Sequence, residues 1–231
     1  MVNELRFVVS QHIAEEVRRW ARLELEADPH AAAKDGSDQY QTTTLYFDTP
    51  EFDLFFRLGS QARARFRIRS YDHRTIFLER KLRAGERVLK RRSAAGITDL
   101  PRLGADEEEV WSGLWFARRL QLRKLRPVCQ VTCRRTARTA QSGLMRITID
   151  EGITAVPLET IAFTKAPGID VMPANAILEL KYGAALPSAF ADLIHALNLR
   201  PQSVSKYHLA VQALGLADDK KGMLATPHPV R

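Results

Sequence analysis

The sequence predicts an α+β fold dominated by short antiparallel strands, closed into a barrel or paired as a sandwich. Three observations lead there. About eight strand-like segments follow one another at hairpin spacing. Helical periodicity is confined to a few stretches between and after them. Nearly every strand alternates apolar and charged residues with the period of two that sends them to opposite faces.

The first strand reads 3–9, with Leu5, Phe7 and Val9 on one face and Glu4, Arg6 and Val8 on the other. An amphipathic helix follows over 12–26, with Ile13, Val17, Trp20 and Leu23 along one stripe. Residues 28–39 are polar, carry Pro29 and Gly36, and read as a loop. Strands then fit 41–47, 62–71, 75–82 and 87–93, with hairpin corners at Asp72-His73 and Ala84-Gly85. A second helix fits 106–121, where Val110, Leu114 and Leu120 are apolar. Further strands fit 127–138, 144–150, part of 153–163 and 175–182, with a turn at 141–143. Two short helices at 187–198 and 203–215 complete a domain spanning 1–216, and the polar stretch 217–231 reads as a flexible tail.

Composition narrows the function. At 45% hydrophobic and 27% charged residues, the 231-residue chain is too apolar to be disordered and long enough to bury a core. No apolar run reaches the roughly 18–20 residues that span a bilayer, and MVNELRFVVS lacks the basic-then-apolar order of a secretory signal. Cys129 and Cys133 on one strand would place their Cα atoms about 13 Å apart, beyond the roughly 7 Å a disulfide spans. Neither has nearby His partners for zinc. A reducing, cytoplasmic compartment is expected. The net charge of +8 points to a polyanionic partner: nucleic acid, an acidic membrane or a phosphorylated small molecule.

The parity of the charges is more informative than their number. In 62–71, Arg63, Arg65, Arg67 and Arg69 share one face, and Ala64, Phe66 and Ile68 the other. Glu79 and Lys81 share a face with Phe77; Cys129, Val131, Cys133 and Arg135 are in phase. Arg146, Thr148 and Asp150 oppose Met145, Ile147 and Ile149, and Ile177, Glu179 and Lys181 oppose Leu178 and Leu180. A solvated sheet face would do this too, but such faces mix signs. Aligned arginines repel one another unless an anion sits among them, and the planar guanidinium suits phosphate oxygens. Strands closed with this face inward would form a basic tunnel.

The runs Glu4-Leu5-Arg6-Phe7, Leu45-Tyr46-Phe47-Asp48-Thr49, Arg67-Ile68-Arg69-Ser70-Tyr71, Leu78-Glu79-Arg80-Lys81, Lys90-Arg91-Arg92, Arg135-Thr136-Ala137, Leu144-Met145-Arg146-Ile147-Thr148-Ile149-Asp150, Ile177-Leu178-Glu179-Leu180-Lys181-Tyr182 and Ser205-Lys206-Tyr207 together resemble the VTC domain. This is the catalytic domain of the vacuolar transporter chaperone complex, in the triphosphate tunnel metalloenzyme superfamily with the CYTH phosphatases and adenylate cyclases. The resemblance spans about residues 3–215. It implies a closed eight-stranded antiparallel barrel with flanking helices, lined with basic residues. It also implies polyphosphate synthesis: the end of the chain attacks the γ-phosphorus of ATP and ADP leaves. By resemblance, Arg67 and Arg69 with Lys206 would be catalytic, and Arg6, Lys81, Lys90, Arg135, Arg146 and Lys181 would bind phosphates. Glu179, with Glu4, would hold Mn2+ or Mg2+.

The chain departs from the superfamily in three places. Where the phosphatase branch has Glu-x-Glu-x-Lys, this chain has Val2, Glu4 and Arg6, which favours the VTC branch. Arg6 stands where that branch usually has lysine, and Cys133 where it usually has a substrate-holding tyrosine. A metal-dependent triphosphatase and a non-catalytic polyphosphate binder are the rival functions. Nucleic acid is not an expected partner, because the strands show no open aromatic platform. Trp111, Trp115 and Phe116 read as packing, and His12, His30, His73, His195, His208 and His228 show no ligand spacing.

Overall fold

In a computed structural model of the chain, residues 3–28, 37–59, 64–71, 74–84, 87–105, 109–140 and 142–218 are described. Val2, Arg63, His30, the Asp72-His73 corner, Gly85, residues 106–108, Gln141 and residues 219–231 of the expected tail lie outside them.

The strands are β1 (Asn3–Ser10), β2 (Glu26–Ala27), β3 (Gln39–Asp48), β4 (Ala64–Ser70), β5 (Thr75–Ala84), β6 (Arg87–Gly96), β7 (Arg126–Thr139), β8 (Met145–Pro157), β9 (Ile169–Asp170) and β10 (Asn175–Tyr182). The helices are α1 (Gln11–Glu24), α2 (Asp53–Phe56), α3 (Leu114–Leu122), α4 (Ser188–Ala196) and α5 (Lys206–Ala213), with a 3-10 turn over Ile97–Leu103. The α+β expectation is met by a large antiparallel sheet of ten strands in the order β1-β10-β8-β7-β3-β4-β5-β6, with β2 beside β7 and β9 beside β8.

The closed eight-stranded barrel is corrected. Two short strands add to the sheet, and the hydrogen-bonded path ends at β1 and β6 without closing. One cause is local to β1. Its Arg6 carbonyl accepts the Gln202 N–H at 2.8 Å, and the Arg6 side chain reaches the Val204 carbonyl at 3.1 Å. Gln202 thus meets one backbone demand of β1 that a closing strand would otherwise meet.

The chain divides into two compact units. The first comprises Met1–Thr42, Cys133–Ile153 and Met172–Ser205. Its core gathers Phe7, Val9, Ile147, Ile149, Leu178 and Leu180 from β1, β8 and β10 under α1 and α4. Ser10 caps α1 by accepting the Ile13 N–H. The expected stripe of α1 is partly displaced: Ala14, Val17 and Ala21 are buried while Leu23 is 82% exposed. Small side chains bring the helix close to the sheet. Arg18 shares that buried face because Glu151 Oε2 lies 2.5 Å from its Nη2.

The second unit comprises Thr43–Thr132, Thr154–Val171 and Lys206–Arg231. Its core packs Leu45, Phe47, Phe66, Ile68, Ile76 and Leu78 against Phe116 and Leu120 of α3. The helix expected at 106–121 begins only at Leu114, because Gly113 and the turn at Trp111 precede it. The expected break near 150–153 is absent: β8 runs through Gly152, whose φ of +55° needs no Cβ clearance. Both cysteines are free, and both are buried.

Candidate functional site

Strand register turns the alternating charges into rows, one set in each unit. In the first unit, β1, β10 and β8 align Arg6, Glu179 and Thr148 in one row and Glu4, Lys181 and Arg146 in the next. Arg6 Nε donates to Glu179 Oε2 at 2.9 Å, and its Nη2 donates to Glu4. Lys181 Nζ lies 2.6 Å from Glu179 Oε1 and 3.8 Å from Glu4 Oε2. Two carboxylates and two cations thus form a closed square. Burial opposes ionisation of Glu179, but Lys181, Arg6 and Arg135 hold its carboxyl well below the ordinary range.

Arg135 on β7 grips Asp150 on β8 with two bonds of 2.6 and 2.7 Å. Burial opposes its charge, and the Asp150 carboxylate more than restores it, so Arg135 stays protonated. Arg146 Nη2 lies 3.0 Å from Asp28 and 3.5 Å from the Tyr40 hydroxyl. Arg146 Nε and the hydroxyl of Thr148 are buried without a hydrogen-bond partner. Cys133 meets the Thr42 hydroxyl at 3.1 Å.

In the second unit, β3, β4, β5 and β6 align Tyr46, Arg67, Glu79 and Arg92. The adjacent rows are Thr44, Arg69, Phe77 and Ala94 on one side and Arg65, Lys81 and Lys90 on the other. Glu79, 3% exposed, collects Arg67 at 2.6 Å, Lys90 at 3.3 Å and Arg92 at 3.4 Å. Burial would raise its pKa, but Arg67, Arg69 and Lys90 lower it to about 2. Arg69 donates to Thr44 at 3.3 Å, and Arg92 stacks on Phe77 at 3.7 Å from the ring centroid.

Lys206 is the first residue of α5, and its neighbour Tyr207 fixes that helix. The Tyr207 hydroxyl donates to Asp48 at 2.5 Å, and its ring lies 5.4 Å from the ring of Tyr46. Tyr46 is cross-strand from Arg67, so α5 starts beside the cationic row. Asp48 also accepts the N–H groups of Thr49, Leu54 and Phe55 at 2.7–2.9 Å. Burial raises the Asp48 pKa despite these donors, and burial beside Asp48 raises that of Tyr207.

Each residue expected to be catalytic or to bind phosphate thus falls on a charged row or beside one: Arg6, Arg135, Arg146 and Lys181 in the first unit, Arg67, Arg69, Lys81, Lys90 and Lys206 in the second. Residue-by-residue reading missed the anchoring pair Asp48 and Tyr207. The signal was available, since both lie in the motif runs. That reading placed Glu79 on one face with Lys81 and Phe77, and it could not show that Glu79 serves three cations on two other strands.

The expected divalent metal is tested by the donors. Among the described residues no group of three or more His, Cys, Asp or Glu is placed to hold a metal ion. Glu4 and Glu179 already share Arg6 and Lys181. A divalent ion between them would face two fixed cations, so these residues do not fit a resident metal.

Comparison with known proteins agrees with this geometry. No curated protein matches the chain. A Bacillus halodurans protein provisionally assigned as an adenylate cyclase is 13% identical, with a TM-score of 0.57 over 87% of this chain and 92% of that one. The PH1012 protein of Pyrococcus horikoshii OT3 is 12% identical, with a TM-score of 0.51 over 90% and 99%. Identities this low show a shared fold. The VTC domain family matches residues 1–215. With the charged rows of β3–β6 and of β1, β10 and β8 in place, the chain belongs to the VTC domain family.

Proposed function

We propose that this chain is a polyphosphate polymerase. The terminal oxygen of a polyphosphate chain forms a bond to the γ-phosphorus of ATP, the bond from that phosphorus to the β-bridging oxygen breaks, and ADP leaves. One observation carries the reading: the row Tyr46–Arg67–Glu79–Arg92 presents guanidinium groups beside the helix that begins with Lys206.

Phosphoryl transfer is largely positioning and charge stabilisation, because negative charge spreads over the equatorial oxygens. Fixed cations supply that stabilisation without reorganising. Arg67 and Arg69 are held by Glu79 and Thr44, so little side-chain freedom remains to be lost on binding. Lys206 completes the catalytic set. Arg6, Lys81, Lys90, Arg135, Arg146 and Lys181 bind phosphates. A phosphate nucleophile is already ionised at neutral pH and needs no general base. Glu4 and Glu179 orient Arg6 and Lys181, and Mn2+ or Mg2+ arrives with ATP, held by phosphate oxygens as part of the substrate. In this reading residues 1–216 form the catalytic domain, and the setting is cytoplasmic; no helix among the described residues is long and apolar enough to cross a membrane.

The test is one reaction. Protein, ATP and Mn2+ are incubated with and without a short polyphosphate primer, and ADP, free phosphate and polymer are quantified together. ADP matched by polymer is the expected result. Free phosphate without polymer would place the chain among triphosphate hydrolases, and no turnover would leave a polyphosphate-binding module.

A further inference from the structure

The other face of β5 and β6 carries a cationic cleft, wholly within the second unit. It measures about 590 Å³ and is lined by Arg91, Trp111, Leu114, Trp115, Arg118 and Leu122, among others. That volume lies within the roughly 300–1,000 Å³ of ligand-sized pockets.

The cleft is built by local chemistry. Gly113 has no Cβ, and a Cβ there would stand 2.2 Å from the ring of Trp111, so glycine lets that ring pack. Ser112 Oγ bonds the Ala94 carbonyl at 2.8 Å, and Trp115 Nε1 bonds Ser93 Oγ at 2.9 Å, fixing the start of α3 to β6.

The charges there break the parity of both strands. Arg80 shares its face with the core residues Ile76 and Leu78, and Arg91 stands directly opposite it on β6. Like charges in cross-strand register destabilise a sheet. Burial, with Arg119 and Arg91, lowers the Arg80 pKa. Among the described residues, no carboxylate forms an ion pair with Arg80, Arg91, Arg118 or Arg119. Arg80 Nε and Trp111 Nε1 are buried donors without an acceptor. Among the described residues, the arginines that line the cleft are thus left without carboxylate partners, and an occupant carrying negative charge answers them.

The apolar surface decides between anions. Val110 is 88% and Leu122 74% exposed at the cleft. A bare phosphate chain would answer the arginines and leave those side chains in water. A nucleobase would need an open ring face, yet Arg91 stacks on Trp115 at 4.4 Å and Arg102 on Trp111 at 4.9 Å. Carboxylates carried on a chain with aliphatic or aromatic side chains satisfy both demands.

We propose that this cleft docks an acidic segment of a partner protein, with its carboxylates on Arg91, Arg118 and Arg119 and an apolar side chain between Trp111, Leu114 and Leu122. Binding energy would concentrate at the tryptophan and arginine positions. This site is independent of the phosphoryl-transfer reading.

The experiment uses the full chain and a fluorescent peptide of about twelve residues alternating Glu with Leu and Phe, read by anisotropy. A Glu–Ser peptide of equal charge and linear inorganic polyphosphate are the comparisons. The expected results are about tenfold weaker binding of the Glu–Ser peptide and about tenfold weaker binding of the Glu–Leu–Phe peptide by the Arg91→Glu/Arg118→Glu variant. Leu122→Asp, at an exposed position, should weaken the peptide without changing the melting temperature. Absent peptide binding, equal binding of both peptides, or undiminished affinity in the double variant would each overturn the proposal. So would a loss of polyphosphate affinity in that variant larger than its loss of peptide affinity.

Discussion

Tyr207 donates its hydroxyl to Asp48 across 2.5 Å, tying the first turn of α5 to the end of β3. The carboxylate is fully buried and accepts three backbone N–H groups as well. Tyr207→Phe removes one donor while keeping the ring against Tyr46. It should cost about 1–3 kcal/mol of stability, and turnover should fall further than thermal unfolding explains, because Lys206 loses its anchor. Unchanged turnover at a lowered melting temperature would restrict Tyr207 to a structural role.

Glu79 balances Arg67, Lys90 and Arg92. Its folded pKa of about 2 lies below the ordinary 4.5. Its ion pairs therefore stabilise the fold fully above pH 4.5, and the contribution is lost as pH falls from 4.5 toward 2. Glu79→Gln should flatten that part of the melting-temperature profile and cost about 2 kcal/mol at pH 7, less than a fully buried pair because its partners reach water. A wild-type profile in the variant would remove Glu79 as the acid-sensitive group.

Arg6 stands between Glu4 and Glu179. Without nucleotide, the wild-type chain should show no stoichiometric Mn2+ by electron paramagnetic resonance. Arg6→Ala removes the cation that pairs with both carboxylates and should gain measurable Mn2+ affinity. Tight Mn2+ binding by the wild type, abolished by Glu179→Gln, would show that the square opens to admit a metal.

Lys206 begins α5 at a half-buried position. Lys206→Ala should change stability by no more than about 0.5 kcal/mol and lower polymer formation by roughly a hundredfold or more. Normal rates would take it out of the mechanism.

How much of this was legible in the sequence depends on range. Period-two alternation is local, so the shared face of Arg65, Arg67 and Arg69 and that of Glu179 and Lys181 could be read directly. Which strand ends the sheet depends on distant backbone partners, and nothing near Arg6 announces the bond from Gln202. Gly152 reads as a break by its conformational freedom, yet the pairing of β8 with β10 before it and with β9 after it holds the strand together. Leu23 fitted a helical stripe, but the sheet selected the smaller Ala14 and Ala21. For the site, residue types and faces were legible, and the motif runs carried their order. The grouping of Glu79 with three cations was not, since it depends on β4, β5 and β6 meeting in one register. Arg80 and Arg91 were visible as charges out of phase, a signal that pattern reading spends on apolar faces.

The open ends of the sheet also bear on how copies of this chain behave when crowded together. At β1, the Arg6 carbonyl is already engaged by Gln202. At β6 the boundary strand carries Lys90, Arg91 and Arg92 in succession. Two such edges brought side by side would stack six positive charges at strand spacing. Edge-to-edge fibril growth is thereby discouraged at neutral pH, and that protection should weaken in concentrated salt, where screening shortens the repulsion to a few ångströms.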